Sequence, residues 1–406
     1  MSIFLDLMNH EYPSRIPYDW ETRKKYLDLP FPITEYQERI KKVQKLMDEK
    51  QIDSVLMFGD SGNSSDLVYF ANFIPFGRAA IVIIKNKSPT IITDAILHGE
   101  PINSHAWMTW LEDFRPVNRG TLEIARAIVQ ILEESNTRSV GVSGLSDIPS
   151  ALYEKIKSKR INLLDISLEI SLIKSVKSDR EVELLKELGK ITVYAMQAAI
   201  ENIGVGKKEN EIAGAVNKVM LEQGAHDRAF LSIVNSGAKA GLKHSYPTNR
   251  KIIQGDMVYI DIGAMKFGYM TDMSRTVVVG KANQEQKEIL DVIYNGYMTL
   301  VNKLKPGLSD KKFIELAKQL EQEAQYVVKK YPKRIFLGLS VHHPIGTTLF
   351  GFPSNEFSDI NFQENMCFAF EPMAHILDFG TAVIEDDILI TRNGYQIITP
   401  YDLIHW

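Results

Sequence analysis

The spacing of hydrophobic positions changes near residue 170 and divides the chain in two. In the first part, "ITEYQERIKKVQKLMDEKQID" places Ile40, Val43 and Leu46 at helical spacing, with Thr34 as a candidate N-cap. Strand-like runs follow at "SVLMFG", "AAIVII" and "PTIITD", then a helical "LEIARAIVQILEES" and another strand, "SVGVSG". Such alternation predicts an α/β domain over residues 1–170, behind an irregular lead-in over 1–30. From 171 to 406 the order differs. Two helical patterns, "SDREVELLKELGKITVYAMQAAIEN" and "KENEIAGAVNKVMLEQG", precede a hairpin pattern, two further helical stretches and a series of short strands. Helices grouped around antiparallel strands predict an α+β domain.

The hairpin pattern, "YIDIGAMKFGYMTDMSRT", spans residues 259–276. Asp261 and Asp272 are symmetric about Lys266–Phe267, so an even-length turn centred there sets them directly opposite each other. Like charges at that separation are destabilising. Solvent exposure or a bulge would relieve the conflict, and so would a cation.

Composition narrows the options without choosing among them. Hydrophobic residues make up 45% and charged residues 24%, as in ordinary soluble proteins, and 406 residues favour two domains. A net charge of −4 without a basic stretch argues against a nucleic-acid partner. The single cysteine, Cys367, excludes an intramolecular disulfide framework and fits a reducing compartment. No secretory signal pattern or membrane-length apolar run is present, so a cytoplasmic, non-membrane protein is expected. Cys367 sits in an apolar strand pattern and reads as a buried small hydrophobe. "GVGKKEN" reads as a turn before a helix, since its spacing is wrong for a phosphate cradle.

Further carboxylates occur where strands should be apolar. "FAFEPM" contains Glu371, "AVIEDDILI" contains Glu385, and "SVHHPIG" places His343 in a polar break. Glutamate is depleted in strands and rarely buried alone. A nearby arginine or an exposed face would explain either glutamate singly. Four carboxylates and one imidazole over four strand-like segments are explained together by a pair of cations, and this donor set suits Mn, Co, Fe or Zn. Two such ions sharing carboxylates would hold a hydroxide ready for attack.

The order Asp261, Asp272, His343, Glu371, Glu385 resembles the ligand set of the pita-bread metallopeptidases, the family of methionine aminopeptidase, prolidase (Xaa-Pro dipeptidase), aminopeptidase P and creatinase. The matching stretches are "GDMVYIDIGAMKFGYMTDMSRT", "HHPIG", "NMCFAFEPM" and "TAVIEDDILIT", and the intervals within each acidic pair match as well. The resemblance to the prolidase and creatinase branch extends through the N-terminal domain and the junction "LIKSVKSDREVELL". It implies a homodimer and two divalent metal ions held by those five residues. It also implies that Glu371 takes and returns a proton and that His244, in "KHSYPTNRK", steadies the substrate.

The chain departs from the family at the residues that read substrate. Phe350 stands where these peptidases have a second catalytic histidine, and Val383 where prolidases have an arginine for a substrate carboxylate. His342 and His375 are candidates for a replacement imidazole. Phe76 and Arg78, in "NFIPFGRAA", resemble the creatinase residues that contact a small guanidino acid. The aromatic segment "HGEPINSHAWMTWLEDF", with His98 and His105, reads as a packing loop. The leading expectation is a dinuclear hydrolase of Xaa-Pro or similar amide bonds. A metal-dependent hydrolase or lyase of a small non-peptide zwitterion, creatinase-like or ectoine-hydrolase-like, is the second, and a non-catalytic binding module the third.

Overall fold

A computed structural model describes residues 20–94, 109–117, 120–242, 244–331, 334–349 and 360–406. His98, His105 and Phe350 lie outside the described residues. The chain divides into two compact units, Met1–Lys174 and Ser175–Trp406.

The first unit is built on a six-stranded sheet of order β4-β3-β2-β1-β5-β6. Its strands are β1 (Ser54–Asp60), β2 (Arg78–Ile84), β3 (Thr90–Asp94), β4 (Asp113–Val117), β5 (Ser139–Ser143) and β6 (Asn162–Asp165). β1 pairs antiparallel with β2 and parallel with β5, so the sheet is mixed. The helix Thr121–Glu134 buries Ile124, Ile128 and Leu132 against β-strand residues Leu56, Val82 and Ile92. Those positions follow the spacing of an amphipathic helix.

Two details differ from the expectations. Pro32 occupies the N-cap position of the helix Ile33–Lys50 without a side-chain capping bond, and Thr34 lies inside the first turn. Proline's fixed φ and missing N–H suit a helix start. Part of the lead-in is also ordered: Trp20–Arg23 is helical, and the buried Arg23 donates from Nη2 to the carbonyls of Leu111 and Glu112, 2.8 Å each. Those partners are distant in sequence, so no local pattern could reveal them.

The second unit holds β7 (Asp227–Arg228), β8 (Ile233–Ser236), β9 (Met257–Ile262), β10 (Ala264–Lys266), β11 (Tyr269–Met270), β12 (Met273–Val278), β13 (Ile335–Gly338), β14 (His342–Pro344), β15 (Cys367–Phe370), β16 (Met373–Ile376), β17 (Gly380–Thr391) and β18 (Gly394–Ile397). The main path runs β13-β16-β17-β12-β9-β8, with β14 joined through β15, and β15 and β18 both on β17. Strand β17 is the organising element. Its first half pairs with β12 and β16, its second with β15 and β18, and nearly all of it is buried. The helices Gln284–Val301 and Asp310–Glu323 pack Ile293, Tyr297, Leu300, Phe313 and Ala317 around Phe370, Ile384 and Ile388. Each such large apolar side chain contributes roughly 1.5–3 kcal/mol on burial. That packed layer supports a sheet that carries many charges on its other side.

The hairpin register differs from the expected one. The turn is centred on Phe267 (φ 53°) and Gly268 (φ 75°), not on Lys266–Phe267. Positive φ at both central residues makes a type I′ turn, which matches strand twist and favours glycine. Asp261 therefore pairs with Ser274, and Asp272 falls in a break before β12. Gly263 permits that break, because a Cβ there would lie 2.0 Å from the Thr271 carbonyl oxygen.

Candidate active site

The register assembles the acidic residues row by row. Asp261 of β9 pairs with Ser274 of β12, and Ser274 pairs with Glu385 of β17. Strand β17 pairs Phe370 with Asp386 and Met373 with Val383, so in the same register Glu371 falls opposite Glu385. Directly opposed residues share a sheet face, as do residues two apart on a strand. Asp261, Glu385 and Glu371 thus point to one side, and Asp272, just before β12, lines the same cavity. His343 of β14 pairs with Ala369, two residues before Glu371. All five expected ligand residues line one cavity of about 340 Å³, together with Phe230, Leu231, Ile233, His244, Tyr246 and Val341. That volume suits a small ligand.

Asp261 and Glu385 each have one carboxylate oxygen held by a hydroxyl and one left over. Tyr259 donates to Asp261 Oδ2 and Ser274 to Glu385 Oε2, both at 2.6 Å. The backbone N–H of Asp272 donates to Asp387 Oδ2 at 3.1 Å. Asp261 Oδ1, Asp272 Oδ1 and Glu385 Oε1 are buried without a hydrogen-bond partner. His343 Nε2 stands 3.5 Å from both Asp272 Oδ2 and Glu385 Oε1. Donor atoms of Asp272, His343 and Glu385 lie within 4.8 Å of one another. Orphaned buried carboxylate oxygens are costly, and a hard divalent cation satisfies them with the imidazole. The residues present therefore fit a divalent metal.

Electrostatics agree with that reading. Burial, and then the Glu385 charge, push the Asp261 carboxyl up to about 7. Asp272 is raised well above the carboxylate range by burial, Glu385, Asp261 and Asp387. Burial opposes the charged form of His343, but Glu385 and Asp261 outweigh it and raise the imidazole. Without a cation the cluster holds its charge down by taking up protons.

The other candidates are dispersed. His244 lines the cavity from an exposed loop, with φ at 55°. His342, on the opposite face of β14 from His343, lines a second cavity, where its Nε2 faces Asp310 Oδ1 at 2.8 Å. His375 is buried, with Nδ1 2.6 Å from Thr381 Oγ1 and Nε2 3.0 Å from Met373 Sδ. Val383 packs in an apolar cluster with Ile233, Ala240, Tyr259 and Met373. Phe76 and Arg78 belong to the first unit: Phe76 is exposed, and Arg78 opens β2, its N–H donating to Asp94 Oδ1 at 2.8 Å. Cys367 is buried in β15.

A family model, "Metallopeptidase family M24", matches residues 183–392, more than half of the chain. The chain belongs to this family. A second model, "Creatinase/Prolidase N-terminal domain", matches residues 39–176. An Xaa-Pro dipeptidase of Pyrococcus horikoshii is 29% identical over 366 residues, covering 89% of this chain and 97% of the relative. The prolidase structure from the same organism superposes with a TM-score of 0.76 at 28% identity, over 90% of this chain and 99% of that one. An Xaa-Pro dipeptidase structure from Bacillus anthracis gives 0.76 at 26% identity, over 91% and 99%. The architecture is thus a creatinase-type α/β domain followed by a pita-bread α+β domain, and the protein is a hydrolase of the metallopeptidase class.

Within the M24 unit, several supporting residues escaped the sequence reading. Asp386 and Asp387 follow Glu385 in β17, and both are buried. Arg275 meets Asp386 at 2.8 Å with both side chains buried, and Tyr297 and Thr399 donate to the same carboxylate. The three consecutive acids in "EDDILIT" and the lone arginine in "MSRTVV" were the available signals. Tyr259 and Ser274 left no such signal, because a hydroxyl in a strand is unremarkable until the register shows what it faces.

Proposed function

We propose that this M24 protein is a dinuclear metal-dependent hydrolase that cleaves Xaa-Pro or similar short-peptide amide bonds. The observation that carries the reading is one cavity lined by Asp261, Asp272 and Glu385, each with a buried orphaned carboxylate oxygen, and by His343, whose Nε2 stands 3.5 Å from Asp272 Oδ2 and Glu385 Oε1. Asp261, Asp272, His343, Glu371 and Glu385 would hold two divalent ions, Mn, Co, Zn or Fe. Such ions, when bound, polarise a carbonyl and lower the pKa of water.

The protein's own groups supply the rest. Glu371 takes a proton from the attacking water and returns it to the leaving nitrogen. His244, which lines the same cavity, donates to the substrate carbonyl and to the oxyanion that develops from it. Phe230, Leu231, Ile233, Tyr246 and Val341 offer an apolar wall that excludes water and takes an apolar side chain such as a prolyl ring. Tyr259 and Ser274 keep Asp261 and Glu385 in fixed orientations. The Xaa-Pro specificity of the relatives supports the substrate class, and the homodimer and cytoplasmic setting belong to the same proposal.

A second reading, hydrolysis of a small non-peptide amide, draws support from Val383, whose apolar packing puts no charge where a peptide carboxylate would be read. Protein loaded with Mn or Co and assayed on a panel of Xaa-Pro dipeptides decides between them. Turnover of at least one dipeptide is expected; inertness on all of them ends the peptidase reading.

A further inference from the structure

The loop that carries His244 is gripped by a buried carboxylate outside the hydrolytic machinery. Glu209, the first residue of the helix Glu209–Glu222, is fully buried. Its Oε1 accepts from Ser236 N at 2.9 Å and Ser236 Oγ at 2.8 Å. Its Oε2 accepts from Lys239 Nζ at 2.7 Å, Thr248 N at 2.9 Å and Thr248 Oγ1 at 2.8 Å. These donors come from both sides of His244 in the chain. Lys239 Nζ also donates to Tyr246 O at 2.5 Å and to Asn235 Oδ1 at 2.7 Å. Tyr246 lines the cavity beside His244. The anchor thus reaches the wall of the site through one cation.

The acceptor capacity of this carboxylate is saturated. A carboxylate has about four lone-pair positions, and here five donors fill them. Hydrogen bonds to a charged acceptor are stronger than those between neutral groups. His244 meanwhile sits in the left-handed region, which is strained for a non-glycine residue and persists only where the surroundings over-determine it.

We propose that Glu209, acting through Lys239 and Thr248, is a positioning residue that fixes the His244 loop in its strained, cavity-facing conformation. The proposal rests on the assignment of His244 to the substrate carbonyl made above. None of Glu209's partners is a proposed metal ligand, so losing the anchor should impair turnover and leave metal content intact. Misplacing a group by about 1 Å can cost about 100-fold in rate.

The test uses the Mn-loaded full chain and the Xaa-Pro dipeptide it hydrolyses fastest, with metal content measured in parallel. Thr248→Val removes one donor and is expected to lower kcat about tenfold at near-constant KM, while Thr248→Ser stays within about twofold of wild type. Glu209→Gln, which sets an amide against donors, should lower kcat about 100-fold and speed hydrogen exchange across 236–250. In a His244→Ala background, Thr248→Val should cause no further loss, because its effect passes through His244. Equal losses in both backgrounds overturn the proposal. So does wild-type kcat in Thr248→Val and Glu209→Gln while His244→Ala is impaired. Wild-type turnover by His244→Ala instead overturns the assignment of His244, and the proposal with it. Unchanged exchange in Glu209→Gln refutes the anchoring even where no dipeptide is cleaved.

Discussion

Removing metal should convert the acidic cluster into a pH-dependent weakness of the fold, and the size of the effect follows from Asp261. Its carboxyl is pushed from 3.8 up to about 7, chiefly by burial and the Glu385 charge. Folded, metal-free protein therefore keeps a proton there that the unfolded chain has released. Stability is fully present below the ordinary carboxylate value near 4 and is lost as pH rises towards about 7. At about 1.4 kcal/mol per pH unit, a rise of this size is worth on the order of 4 kcal/mol, shared between Asp261 and the carboxylates that face it. Asp272, raised for the same reasons, acts in the same direction. His343, also raised, contributes stability below the ordinary imidazole value that is lost as pH climbs through its higher folded value. For a unit of this size, 4 kcal/mol corresponds to a Tm change of about 10 °C.

The assay is thermal unfolding of chelator-treated protein between pH 4.5 and 8, beside Asp261→Asn, whose amide cannot ionise. Taking the difference between the two curves cancels groups elsewhere, such as Glu209, whose carboxyl is lowered because hydrogen bonds from Lys239, Thr248 and Ser236 outweigh its burial. The difference should favour Asp261→Asn increasingly from pH 5 to 7.5. Saturating Mn should flatten the wild-type curve, because metal binds the deprotonated ligands. Parallel curves for the two metal-free proteins would show that Asp261 does not titrate as argued.

Other substitutions probe single contacts. Asp272→Ala should abolish metal uptake and turnover together; retained stoichiometry by elemental analysis would sink its assignment as a ligand. Tyr259→Phe removes the hydroxyl that orients Asp261 and should weaken metal binding about 10–100-fold in a calorimetric titration, whereas an unchanged Kd would mean that the contact is incidental. Arg275→Met leaves Asp386 charged and buried with its cation gone. A loss of about 3–5 kcal/mol in urea unfolding is expected, and a loss under about 1 kcal/mol would refute the importance of that pair.

Much of the site was legible because its residues break local rules. Glu371 and Glu385 interrupt apolar strands, and the aspartates sit in an alternating hairpin, so chemistry forbidden by packing stood out against the pattern. The residues that stayed hidden obey those rules. Tyr259 is at home in any strand, and Ser274 is too small to mark a face. Asp386 and Asp387 were masked by the glutamate beside them. Glu209 looked like an ordinary first-turn acid of a helix, since a helix N-terminus welcomes negative charge whatever else the side chain does.

The chain alone determined which elements form, because helical and strand periods are local properties of apolar spacing. It also supplied the proposed donor set, since five residues of suitable chemistry occur in the order that the resemblance implies. The hairpin register was decided elsewhere. Two adjacent positive φ values at Phe267 and Gly268 moved the turn by one residue and exchanged Asp272 for Ser274 as the partner of Asp261. Only the assembled sheet then set Glu385 between Ser274 and Glu371, put Tyr259 under Asp261, and closed the His244 loop on Glu209. Those contacts join residues far apart in sequence. Hydrophobic spacing carries no information about them, because it records which face is buried and not what lies opposite.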